Sequence, residues 1–317
     1  MWPRYDLWLV KALVTGSAGF IGSNLVRKLW NRGAEVVGID RRRVRDRVGL
    51  HVTMDLAKRH SLPEIARWTG WADVVFHLAA RPGIRSNSPS IDLLRHLDII
   101  VATEHLMAVT PERTHLILTS SSSVYGDAAR WDKSYRPSRE TDRLRPVSRY
   151  GRYKASMERL GRQYRRFEDG LAIARPFTVI GEGQRSDMAL SIWIDAVHRG
   201  DPVKVFGSLD RARDVTDVDR VVEGLLAMAD LRYCGFMNLG AGTPRSLGEM
   251  VEAVFLATGL EAPIQILTAG PEEVRATYAD STRARLDLGV DLTTDLLQAT
   301  KRQAWARLGK RMGAVSP

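Results

Sequence analysis

The sequence predicts an α/β fold, a doubly wound parallel sheet with a smaller part after it, on two observations. Apolar β-type runs at residues 9–15, 35–39, 73–78, 115–119 and 171–174 alternate with amphipathic stretches at 21–30, 91–108 and 152–167, each long enough for a crossover helix. Between the first run and the first helix stands Thr15-Gly16-Ser17-Ala18-Gly19-Phe20-Ile21-Gly22, a glycine loop in strand, loop, helix order. After residue 176 the rhythm loosens as Gly and Pro accumulate, yet helical segments at 189–198, 218–229, 247–258 and 293–308 mark that part as folded. The expected division is 1–175 for the sheet, which also receives 213–243, and mainly 176–317 for the smaller, substrate-binding part.

The first strand is entered through residues 7–10, apolar but bracketed by Asp6 and Lys11, too short for a signal-peptide core or a membrane span. At 317 residues, 44% hydrophobic and 26% charged, the chain can bury a large core, which excludes a disordered or low-complexity protein. The single cysteine, Cys234, excludes an internal disulfide or a cysteine zinc site and favours a reducing cytoplasm. No metal is called for. The 47 Lys and Arg against 37 Asp and Glu give a net charge of +10, spread without an aromatic-interleaved stripe. A solvated basic surface is expected, rather than a nucleic-acid or membrane partner.

The glycine loop allows a tight turn and close backbone approach, so that a dinucleotide pyrophosphate sits on free N–H groups where Phe20 and Ile21 begin a helix. Asp40 ends the second strand, near the spacing of about 20 residues at which a carboxylate meets the adenosine ribose. A carboxylate there accepts from both ribose hydroxyls and repels a 2′-phosphate, which selects NAD. Arg41, Arg42 and Arg43 follow it and would attract such a phosphate, which keeps NADP open. Asp55-Leu56, after a third strand, offer an acid and an apolar residue to an adenine. His77 reads as structural, and Leu78-Ala79-Ala80 beyond it let the chain pass close under a cofactor.

Tyr150 and Lys154 stand four apart and so project from one helix face. A free tyrosine, with a pKa of about 10, is a poor base at neutral pH unless a nearby ammonium and an oxidised nicotinamide favour its phenolate. The serines at 120–123 supply a hydroxyl for the reacting oxygen.

Together, Gly16-x-x-Gly19-x-x-Gly22, Asp40, His77-Leu78-Ala79-Ala80, the segment 120–126 and Tyr150-x-x-x-Lys154 resemble the extended short-chain dehydrogenase/reductase family, which implies a Rossmann-type sheet. Arg213-Asp214-Val215-Thr216-Asp217-Val218-Asp219 and Asn238-Leu239-Gly240 extend the resemblance over nearly the whole chain. It implies NAD in the first part, a nucleotide sugar in the second, Ser121 and Tyr150 at the reacting hydroxyl, and Lys154 as the electrostatic partner. Tyr150 would take a sugar hydroxyl proton while hydride leaves the same carbon, giving a transient 4-keto sugar.

Ser122 and Ser123 stand where the family's dehydratases and decarboxylases carry acids, so oxidation followed by reduction, a 4-epimerisation, is implied. Ser120 to Gly126, Thr178 and Arg185 are most similar to UDP-glucuronic acid 4-epimerases. There Thr178 and the serines would bond a C5 carboxylate and Arg185 would face an anionic sugar. The plainer reading is that Thr178 and the serines satisfy one another and Arg185 is a surface or phosphate-binding residue. The resemblance further puts Arg213 at the pyrophosphate, Arg85 on the substrate side, Val205 in the base pocket and Glu273 near the nucleotide ribose. It also implies a homodimer through the helices at 91–108 and 149–167. Ile99 replaces the family's Asn, removing or replacing a contact near the active site. Decarboxylation and neutral-sugar epimerisation remain alternatives, as does a dinucleotide-sensing regulator.

Overall fold

The computed structural model describes residues 10–44, 48–83, 88–129 and 134–309. In chain order they form β1 (Lys11–Thr15), α1 (Phe20–Asn31), β2 (Glu35–Asp40), β3 (Leu50–Thr53), α2 (Leu62–Trp71), β4 (Val74–His77), α3 (Pro89–Arg95), α4 (Ala102–Val109) and β5 (His115–Thr119). There follow α5 (Arg149–Tyr164), β6 (Leu171–Pro176), β7 (Thr178–Ile180), α6 (Ala189–Arg199), β8 (Val203–Phe206), β9 (Ala212–Asp217), α7 (Val218–Asp230) and β10 (Gly235–Leu239). The last elements are β11 (Pro244–Ser246), α8 (Leu247–Thr258), β12 (Ile264–Leu267), α9 (Thr282–Asp287) and α10 (Leu296–Ala304).

Seven strands form one parallel sheet in the order β10-β6-β5-β4-β1-β2-β3, as the alternation of elements predicts. β4, β5 and β6 are buried at every position, so their near-continuous apolar runs are those of strands covered on both faces. One face packs Leu25, Leu29, Val221 and Leu225 from α1 and α7, and the other packs Ile65, Leu106 and Met157 from α2, α4 and α5. The strand order reverses between β1 and β4, which opens the crevice in which such sheets bind ligands, at the carboxyl ends of the strands.

The smaller part carries β11-β9-β7 and β8-β12, with a core built on Trp193, Ile194, Val251 and Val254. Chain return into the main sheet is narrower than residues 213–243. β9 stays in the three-stranded sheet, while α7 packs beside α1 and β10 adds the edge strand next to β6. The helix expected at 91–108 runs as α3, a π-helical stretch at His96–Val101 and α4. Where a helix is expected from residue 152, α5 starts at Arg149, because the Ser148 hydroxyl accepts from Gly151 N at 3.0 Å and caps it. That cap places Tyr150 in the first turn.

Candidate active site

The glycine loop fits a dinucleotide by exclusion of side chains. Gly16 has φ +71°, and a Cβ on Gly22 would stand 2.2 Å from the Gly16 carbonyl oxygen, so neither position tolerates another residue without movement. Gly19 caps α1 without a side-chain hydrogen bond, which leaves the first N–H groups of the helix to an anion. Asp40 braces the loop by accepting from Ala18 N at 3.1 Å and Arg42 N at 2.9 Å. The Thr119 and Ser120 hydroxyls, buried at the end of β5, have no hydrogen-bond partner among the described residues, as suits a strand end that receives a polar group. Asp55 is half-buried and accepts from Ala57 N at 3.0 Å, whereas Leu56 is buried among the apolar side chains under α2 and α4.

Helix α5 brings the candidate base to the serines. A Cβ on Gly151 would lie 2.4 Å from the Ser123 carbonyl oxygen, and one on Gly161 would lie 2.6 Å from Leu118, so two glycines seat this helix against β5 and the serine loop. The Ser121 hydroxyl favours the Tyr150 phenolate, and its own oxygen lies 3.0 Å from that of Ser123. Burial pushes the Tyr150 phenol up to about 12, against the opposing pull of Arg185, the Ser121 hydrogen bond and Arg95. Burial likewise lowers the Lys154 ammonium to about 7, opposed by the Glu158 carboxylate one turn along the helix. Lys154 Nζ donates to the Thr119 carbonyl at 2.6 Å, fixing it at the carboxyl end of β5.

Arg95 is the residue that sequence reasoning missed. It is fully buried, donates to the Gly83 carbonyl at 2.6 Å and pairs with Asp92, and its charge favours the Tyr150 phenolate. The only trace of it in the sequence is its i,i+3 spacing from Asp92. His77, buried between the Thr15 and Thr103 hydroxyls, is held neutral by burial and the nearby Lys154, with its pKa down at about 3. Thr103 in turn donates to the Ile99 carbonyl, so the strand end is tied to the π-helical stretch through backbone.

On the substrate side the expected residues divide. Thr178 is half-buried at the start of β7, and Arg185 pairs with Asp187 at 2.9 Å while its charge reaches Tyr150. Arg213 and Glu273 meet each other at 3.7 Å, uniting the residues expected at the pyrophosphate and the ribose. Val205 is fully buried in the core of the smaller part: the two-residue period of β8 turns it inward with Val203, so it does not line an open pocket. Arg85 lies outside the described residues. Among the described residues no group of three His, Cys, Asp or Glu could hold a metal, and no helix is long and apolar enough to cross a membrane.

Residues 12–239 match the family model described as the NAD dependent epimerase/dehydratase family. The chain belongs to that family. Among curated relatives of this epimerase/dehydratase, a probable UDP-glucuronate 4-epimerase of Rhizobium meliloti is 29% identical, over 85% of this chain and 89% of that protein. The solved structure of MoeE5 in complex with UDP-glucuronic acid and NAD superposes with a TM-score of 0.84 at 34% identity, covering 96% of this chain and 100% of that one. The UDP-glucuronic acid 4-epimerase from Bacillus cereus, in complex with UDP-glucuronic acid and NAD, gives 0.84 at 27% identity, covering 95% and 99%. NAD is therefore the cofactor that the glycine loop and Asp40 would hold in this epimerase/dehydratase.

Proposed function

We propose that the protein interconverts UDP-glucuronic acid and UDP-galacturonic acid by NAD-dependent 4-epimerisation. The observation that carries this reading is the convergence on Tyr150 of Ser121 and Arg185, in a loop whose next two residues, Ser122 and Ser123, are neutral. Tyr150 takes the proton of the sugar 4-hydroxyl, with Ser121 bonded to the same oxygen and Arg185 and Arg95 favouring the phenolate. Bound NAD, which the glycine loop and Asp40 would hold, would supply the hydride acceptor and donor for that carbon. The 4-keto sugar then presents its other face, and Tyr150 gives the proton back.

Such a keto sugar with a C5 carboxylate is a β-keto acid, which loses carbon dioxide when the breaking bond overlaps the carbonyl. Arg185, Thr178 and the serines hold the carboxylate out of that alignment, and no acid stands at Ser122 or Ser123 to drive dehydration. The same reading places the protein in the cytoplasm as a homodimer joined through α3–α4 and α5, on which Leu93 and Tyr164 are exposed.

Proton NMR and mass analysis of the protein incubated with UDP-glucuronic acid, with and without added NAD, test it. A product of unchanged mass with a galacturonate spectrum is expected. Loss of carbon dioxide or an untouched substrate overturns the proposal.

A further inference from the structure

We propose that Asp98 sets the preference for NAD over NADP by holding Arg41 and Arg81 away from a 2′-phosphate. Arg41 directly follows Asp40, and an arginine beside that carboxylate is the usual host of a 2′-phosphate in such sheets. Here its Nη1 and Nη2 donate to the two oxygens of Asp98 at 3.0 and 2.6 Å. Arg81, just beyond Ala79-Ala80, donates from Nε to Asp98 Oδ2 at 2.8 Å. Asp98 is 7% exposed and sits on the π-helical stretch between α3 and α4. One nearly buried carboxylate thus occupies two arginines from the loops after β2 and β4, through one bidentate pair and one further charged hydrogen bond.

The surroundings reinforce the lock. Besides its bonds to Asp98, Arg41 lies in the field of Asp55 and Asp40, which hold its guanidinium charged and neutralised within the protein. Arg42, the next arginine, has its Nε 3.4 Å from Asp40 Oδ1, beside the carboxylate that repels a 2′-phosphate. A run of three arginines that would suit NADP is therefore opposed by acids at its first two positions.

The test is displacement of protein-bound NADH, followed by its fluorescence, with NAD and with NADP as competitors. No sugar nucleotide is used, so the result stands apart from the proposed substrate. In Asp98→Asn, the affinity for NADP relative to NAD rises about tenfold or more, the worth of one new charged hydrogen bond. Adding Arg41→Gln removes that gain. Equal shifts for both dinucleotides, or a gain that survives Arg41→Gln, overturns the proposal, since a carboxylate that merely glued two loops would act on both alike. Arg41→Gln alone keeps Asp98 bonded to Arg81 and leaves NADP as weak a competitor as in the wild type. A severalfold loss of NADP affinity there would mean that Arg41 already meets the phosphate, which also sinks the idea.

Discussion

The cofactor side of the cleft is shaped by backbone, whereas the arginines proposed for the substrate side are already paired with acids of the same chain. At Gly16 and Gly22 a single added methyl group would collide with main chain. Arg185 faces Asp187, and Arg213 faces Glu273. A site made of backbone has one shape and fails as a unit. A site made of paired side chains can be retuned residue by residue, because an anionic ligand has only to compete with a neighbouring carboxylate for each guanidinium.

The largest effect expected is that of Tyr150→Phe, which stands between the two sides. Turnover falls by about 10²–10⁴-fold, the usual worth of a positioned proton-transfer group, while NADH fluorescence titration shows binding within a few-fold of wild type. Full turnover would remove Tyr150 from the chemistry.

Gly22→Ala probes the backbone side. Forcing a methyl group against the Gly16 carbonyl costs about 1–3 kcal/mol of stability and weakens NAD binding together with it, read by thermal melting with and without NAD. An unchanged melting curve would show that the loop is softer than its contacts imply.

Arg185→Gln probes the paired side and leaves the fold intact. Affinity for UDP-glucuronic acid falls about tenfold with UDP-glucose unaffected, and the acid-side limb of the turnover profile, which rises as the Tyr150 phenol deprotonates, moves up in pH because Tyr150 loses a cation. Equal losses for both sugars would break the assignment of Arg185 to a carboxylate.

The response to acid is spread over the whole fold rather than centred on either side of the cleft, and it has opposite signs at different places in the molecule. His77 and His115, in β4 and β5, are held neutral by burial at about 3 and about 4, below the ordinary value of 6.5. The unfolded chain takes up protons that the folded chain refuses, so their contribution is complete above pH 6.5 and is lost as pH falls towards those values. The loss reaches about 1.4 kcal/mol per pH unit per group. Asp214, in β9, is raised by burial to about 6, so it adds stability as pH falls from there towards the ordinary carboxylate value. Urea titrations from pH 7 to pH 4 should show a net decline that His115→Gln makes shallower. A parallel decline in that variant would discount the histidine.

The same contrast governs what the sequence makes legible. Features carried by neighbours in the chain, such as the glycine loop, Asp40 at a strand end, and Tyr150 four residues before Lys154, can be read directly because their spacing is their geometry. Contacts between distant loops cannot. Nothing near Arg95 announces that its charge reaches Tyr150, and nothing near Asp98 announces its two arginines, because those meetings depend on how helices and loops from distant parts of the chain converge at one end of the sheet. Val205 shows a smaller failure of the same kind: which of the alternating faces of β8 turns inward depends on the helices packed against it.

The return of the chain to the main sheet also orders events during synthesis. β10 is the edge strand beside β6, yet 58 residues separate Pro176 from Gly235, and they build much of the smaller part. A ribosome must therefore release the chain as far as Leu239 before the seven-stranded sheet can close. Until then the outer edge of β6 stands unpaired, a template for neighbouring chains that a chaperone would need to shield. Truncation near residue 175 should yield an aggregating fragment rather than an isolated cofactor domain.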